Sequence, residues 1–451
     1  MDMGGLFILW SRKGSNVVIL NHRESQGLIF SRGWRLTRCA CSASLVAFAL
    51  IAIITAITQP ALGQTFSVIH DFTGGQDGAS PFTGLTIDAN DNIYGTAFGG
   101  GTVGYGTIFL LDNDGGGWVL SPLYSFADGD DGAGPFGRLI FGPDGALYGS
   151  TSAGGGGPCL TSNDYHGCGT VYSIRPPTQA PTSVLSEWSS TILYRFSGSD
   201  GSYPQGELAF DQAGNIYGTT VDGGPAGWGL IFSLTPSNGG WTQNILYQPR
   251  GDGDGEYPWS GVVFDQAGNL YGVFGDNGPY GHGAAYKLTP SGSGWIESTI
   301  HGFTYHGDDG GYPQGGFTLD ASGNLYSTTV HSATAGGTVF EMVASDGSWS
   351  YDFIYGLSGG IGLGPYDKLL MDASGNLYGT TFGDGRYGFG SVFKLTRVEG
   401  GWSYTSLHDF TGGKDGSSPV CKLAFDSTGT LYGTASSGGA YGMGVVFQIV
   451  P

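Results

Sequence analysis

Residues able to recognise a ligand recur at fixed places along this chain. A loop of the form Asp-Gly-x-x-Pro appears at Asp77, Asp131, Asp200, Asp254, Asp309 and Asp415, and a sixth repeat carries Ile361 in its place. The residue after each Pro varies: Phe82, Phe136, Gln205, Trp259, Gln314, Tyr366 and Val420. Tyr203, Tyr257 and Tyr312 stand just before their prolines. Aromatic rings mixed with amides and carboxylates are the chemistry that receives a sugar, because apolar sugar faces stack on rings while hydroxyls need polar partners. The plainer reading is that these rings pack between structural units. Variation at one position of an otherwise regular motif keeps the ligand-facing reading open beside it.

Catalytic patterns are sparse. His282, His301, His306 and His331 fall in one stretch, and a His beside an acid such as Asp308 could act as acid and base in a polysaccharide lyase or hydrolase. Surface histidines without a role are the competing reading. Gly356-Leu357-Ser358-Gly359-Gly360 matches Gly-x-Ser-x-Gly, but a nucleophile elbow needs a helix directly after it, and a Gly-rich loop and strand follow here. Gly99 to Gly101 lacks the Lys of a phosphate loop. Asp128-Gly129-Asp130-Asp131 and Asp252-Gly253-Asp254 crowd oxygen atoms that Ca2+ could use. Neither completes an EF-hand, and Asp-Gly turns need no metal, so no cofactor is assigned.

The elements that position these residues are strands. Gly contributes 87 of 451 residues and charged residues only 12%, yet aromatics reach 14%, too many for a disordered chain. Gly is therefore punctuation between short apolar runs. Trp118, Trp188, Trp241, Trp295, Trp349 and Trp402 mark a period of 53 or 54 residues, with one interval of 70 that holds an insertion. Within each period four short runs follow one another, and a turn Asp-x-x-Gly-Asn recurs at Asp211, Asp265, Asp320 and Asp372, with variants at Asp88 and Asp426. Such a turn suits a tight hairpin. Repeats 65–117, 118–187, 188–240, 241–294, 295–348, 349–401 and 402–451 predict an all-β fold, a seven-bladed β-propeller with four-stranded blades. The lone strand Phe66 to Phe72 should close the ring by completing the last blade.

Residues 1–63 read as a signal peptide with a long basic region: Arg32, Arg35 and Arg38 precede an apolar run from Ser42 to Ile57, and cleavage is expected after Gly63. A retained anchor is the alternative. After cleavage Cys159 and Cys168, nine apart in one loop, predict a disulfide, and Cys421 a buried thiol. The net charge is -20; residues 1–63 hold six basic and two acidic residues, so the remaining 11 basic and 35 acidic residues give -24. That field excludes nucleic acid and anionic membranes as partners.

Gly375-Asn376-Leu377-Tyr378-Gly379-Thr380-Thr381, Gly390-Ser391-Val392-Phe393-Lys394-Leu395-Thr396 and His408-Asp409-Phe410-Thr411-Gly412-Gly413 with Asp415-Gly416 resemble the GloVer tandem repeat, over residues 65–451. The resemblance implies a β-propeller from an exported bacterial protein of a family with varied C-terminal anchors. It implies no reaction, and no catalytic residue is carried over. The chain ends at Pro451 directly after a strand, so free secretion is expected over surface attachment. The expectation is a secreted, monomeric, non-catalytic binding or scaffold module for an extracellular glycan or a surface protein. The alternative is a polysaccharide lyase or hydrolase using the same face.

Overall fold

The computed structural model describes residues 64–451 apart from 114, 161–164, 178–187, 293, 334–335, 346 and 358–363. The signal-peptide reading of residues 1–63 and the Ser358 and Ile361 readings fall outside the described residues.

Turn chemistry and strand patterning agree in every repeat. In the third, Asp211 Oδ1 accepts the N–H groups of Ala213 and Asn215, both at 2.9 Å, while Oδ2 accepts Asn215 Nδ2 at 2.7 Å and the Tyr217 hydroxyl at 3.1 Å. Gly214 takes the positive φ of +84° that this hairpin requires. The turn joins Ala209–Phe210 to Ile216–Thr220, and Leu230–Ser237 and Gly240–Tyr247 complete the sheet in that spatial order. All five residues of Ile216–Thr220 are buried, because neighbouring sheets cover both faces.

Seven antiparallel sheets of this kind form a seven-bladed β-propeller, numbered here 1 to 7 from the sheet that starts at Thr86–Ile87. No helix occurs among the described residues. Blade 7 draws on both ends of the array: Thr65–Asp71 is its outermost strand and runs antiparallel to Val445–Val450, with Thr65 opposite Val450 and Asp71 opposite Val445. Phe66 of that strand stacks on His408 of blade 6 with ring centroids 3.6 Å apart. The ring is thus closed by the N-terminal strand.

Three contacts repeat between successive blades. Deep in the sheets, Leu, Ile, Val and Phe form seven apolar clusters, each shared by two blades. Toward the hairpin turns, an outer-strand Trp packs on the second-strand Tyr of the preceding blade. Trp118 meets Tyr432 at 5.7 Å and Trp349 meets Tyr271 at 5.5 Å. On the opposite face the loop Pro of one blade sits on a Gly of the preceding one. A Cβ on Gly390, whose φ is +97°, would lie 2.3 Å from Pro419 Cδ and 2.4 Å from Thr381 O. The same seat recurs at Gly106, Gly169, Gly229, Gly283 and Gly337, and Gly444 receives Pro81 where the ring closes.

Cys159 and Cys168 form a disulfide. Cys421 is buried and its thiol is pushed up to about 12 by burial, which fits a small apolar group rather than a reactive one.

Two outcomes test this frame. Gly390→Ala adds a methyl to a full space at positive φ, so it should destabilise by about 2 to 4 kcal/mol in denaturant unfolding, with Gly214→Ala, where no atom stands within 4 Å, costing about 1 kcal/mol. The second concerns acid. Burial would raise the carboxyls of Asp88, Asp211, Asp265, Asp372 and Asp426, but hydrogen bonds from their own turns outweigh it and hold each below its ordinary value of 3.8. A carboxyl depressed in the folded state contributes stability above its unfolded pKa and loses it as pH falls through the folded one. The melting temperature should therefore fall steeply below about pH 4, and a flat profile from pH 6 to pH 2 would contradict this role of the turns.

Candidate functional site: the axial cavity

Past each loop Pro the chain runs beside the ring axis; in blade 5 Pro313 and Gln314 already belong to the innermost strand, Gly311–Leu319. The innermost strand is only two residues long in blades 1, 3, 4, 6 and 7, so there the residue after Pro precedes it rather than lying within it. Phe82, Phe136, Gln205, Trp259, Gln314, Tyr366 and Val420 all line one cavity of about 250 Å³. Extended backbone returns a side chain to the same side every second residue. Two positions further on, Gly84, Arg138, Glu207, Gly261, Gly316, Lys368 and Lys422 line the same cavity as a second layer.

The first layer is unevenly aromatic. Phe82 stacks on Phe136 at 5.9 Å, and the edge of Phe98 meets both. Tyr366 meets Phe382 edge-on at 5.7 Å. Trp259 rests against Gly275, where a Cβ would come within 2.4 Å of Trp259 Cδ1. The equivalent residues of the other blades are Phe98, Ser152, Val221, Val330, Phe382 and Ser436, so the indole has its place because this blade alone lacks a side chain there.

The second layer is charged. Arg138 Nη1 lies 2.9 Å from Glu207 Oε1, and Lys422 Nζ lies 3.3 Å from both Glu207 oxygens. Lys368 Nζ is 3.8 Å from Glu207 Oε2. Arg138, Glu207, Lys368 and Lys422 come from blades 2, 3, 6 and 7, so the cluster ties distant blades across the axis. Burial alone would raise the Glu207 carboxyl, but Lys422, Lys368 and Arg138 outweigh it and hold it well below the usual carboxylate range. Burial lowers Lys422 to about 8; Glu207 opposes that shift, while Lys368 and Arg138 add to it. Asp367, beside them, accepts the backbone N–H groups of Lys368 and Lys422, each at 2.6 Å, and burial pushes its carboxyl up.

The other residues expected at this mouth stay out of the cavity lining, for physical reasons. The loop aspartates turn back into their own loops. Asp415 accepts the N–H of Thr411 at 2.9 Å, its hydroxyl at 2.5 Å, and His408 Nε2 at 3.1 Å. Asp77 and Asp309 do the same with Thr73 and His70, and with Thr304 and His301. Asp131, Asp200 and Asp254 cap their loops and take a Tyr hydroxyl where the others take His. Tyr203, Tyr257 and Tyr312 sit at φ near +55°, because each N–H reaches a carbonyl of the preceding blade, as Tyr257 N to Trp228 O at 3.1 Å. That joint turns their rings toward the blade boundary, where Tyr257 meets Trp228 edge-on at 5.6 Å.

None of the described histidines lines the cavity. His301 is held by Asp309, and His282 Nδ1 lies 3.1 Å from the Tyr312 hydroxyl. Among the described residues no three His, Cys, Asp or Glu side chains gather to hold a metal, and the Asp252 and Asp254 carboxylates flank Arg250 instead. No helix among these residues is long and apolar enough to cross a membrane. The charged second layer escaped the sequence reading, although it sits at a constant offset of two from the variable position after Pro.

Fold and site together define a tandem-repeat β-propeller with an axial pocket, aromatic in one layer and cation-rich in the next. The chain belongs to the Gloeobacter/Verrucomicrobia repeat family, which matches residues 54–191, 159–351 and 330–451. A comparison with curated proteins found no match. Among solved structures, a gluconolactonase from Xanthomonas campestris is similar at 13% identity and TM-score 0.38, over 68% of this chain and 91% of that one. A Dyadobacter fermentans protein of unknown function is similar at 12% identity and TM-score 0.43, over 86% of this chain and 98% of that one. Neither likeness speaks to chemistry.

The charged layer makes a prediction of its own. Glu207→Gln leaves Arg138, Lys368 and Lys422 facing one another with their shared carboxylate gone. Stability should fall by about 2 to 4 kcal/mol, and added salt should recover part of it by screening. A variant that melts like the parent at low salt would show that Glu207 does not hold these cations together.

Proposed function

We propose that this protein is an exported binding module whose axial cavity receives a carbohydrate. The observation that carries the reading is the meeting of seven variable residues, one per blade, in a single cavity where Trp259 stands in a seat made for it. Structural positions repeat in this chain; these do not. An indole beside Gln205 and Gln314 offers a stacking face and amide groups to the same ligand. Export is supported by the basic and apolar order of residues 32–57 and by a disulfide, which persists in oxidising compartments. A free monomer and a glycan partner belong to the same proposal.

Trp259→Ala tests it. Affinity for a bound glycan should weaken by about 1 to 3 kcal/mol, as for a central anchor, while the melting temperature stays nearly constant. A core ring would instead cost about 3 to 5 kcal/mol of stability. A large loss of melting temperature with unaltered glycan affinity would overturn the cavity as the binding site.

A further inference from the structure

We propose that the saccharide taken by this cavity carries a carboxylate, as a uronic acid does, and that Lys368 is the cation that meets it. This rests on the carbohydrate reading of the cavity and narrows it to a substrate class. The distribution of charge is the first ground. Residues 64–451 hold 11 basic and 35 acidic residues, yet the cavity is lined by three of the former and two of the latter, Glu207 and Asp367. With both acids ionised the lining keeps one positive charge in excess, inside a domain whose sum is -24.

The pairing of those charges is the second ground. Arg138 and Lys422 hold the Glu207 oxygens at 2.9 and 3.3 Å. Asp367 directs its oxygens to backbone N–H groups. Lys368 is left with the 3.8 Å approach to Glu207, and among the described residues its ammonium has no hydrogen bond. Its side chain is nonetheless only 19% exposed. An ammonium this weakly paired, on a side chain this little exposed, favours an anionic partner that brings its own oxygens. Placement is the third ground. Trp259, Gln314 and Lys368 line one cavity, so a sugar stacked on the indole lies in the space that the Lys368 side chain also borders.

Calorimetric titration decides this with hexuronate trimers (galacturonate, glucuronate, mannuronate and guluronate), their methyl esters, and neutral hexose trimers. At least one acidic trimer should bind ten-fold or more tightly than its own methyl ester. Lys368→Met should shrink that ratio to about two-fold or less, and Lys368→Arg should restore it. If Lys368→Met does not fold, the acid-to-ester ratio of the unaltered protein stands as the test. Esters or neutral trimers binding as tightly as the acids would overturn the carboxylate and leave the carbohydrate reading intact. No saccharide binding at all would overturn both, and so would retention of inorganic phosphate alone.

Discussion

The seat of a loop Pro on a Gly of the preceding blade is the contact from which the rest of the ring follows. A Cβ at Gly229 would come within 2.9 Å of Pro258, and at Gly444 within 2.5 Å of Pro81, so the blades are spaced at the closest approach that backbone alone permits. Pro also fixes its own φ, which directs the next residue inward. The same joint therefore docks one blade on another and delivers a side chain to the axis. Only the joint is constrained; the delivered residue is free to be Phe, Gln, Trp, Tyr or Val. A repeat that must stay constant thus produces a cavity that need not.

Most of the fold was legible in the sequence because its signals are local and repeated. The Asp-x-x-Gly-Asn turn, the Trp period and the isolated strand at Phe66 each report a contact made seven times or nearly so. The convergence of Phe82 through Val420 on the axis was legible for the same reason. Arg138, Glu207, Lys368 and Lys422 were not, since they share a register but no residue type, and their partners lie blades apart. The direction of the loop aspartates was also hidden. Composition marks an Asp in a Gly loop as solvent-facing, whereas the N–H and hydroxyl of Thr411 both donate to the Asp415 carboxylate and turn it inward.

The acidity of the chain reads differently once these partners are known. Carboxylates such as Asp211 and Asp415 are acceptors for backbone N–H groups and hydroxyls that short strands leave over, so much of the negative charge serves the sheet before it serves solubility. The cations are fewer and more deliberately placed. Arg397 spans from blade 6 to Glu341 of blade 5 at 3.0 Å, and three others meet at the axis.

The pairing of Thr65 with Val450 joins positions 385 apart in sequence, whereas every other blade is built from neighbours along the chain. Six blades can form in the order they are synthesised, but the seventh waits for the last strand, and until then Thr65–Asp71 is a strand edge without a partner. Geometry itself assigns no first blade. A chain opened at another blade-to-blade loop, with a short link from Val450 to Thr65, would keep every hydrogen-bonded pair and exchange the longest loop closure in the molecule for a turn. The present ends of the array record the order of synthesis, and the finished ring bears no trace of it beyond a break in one blade.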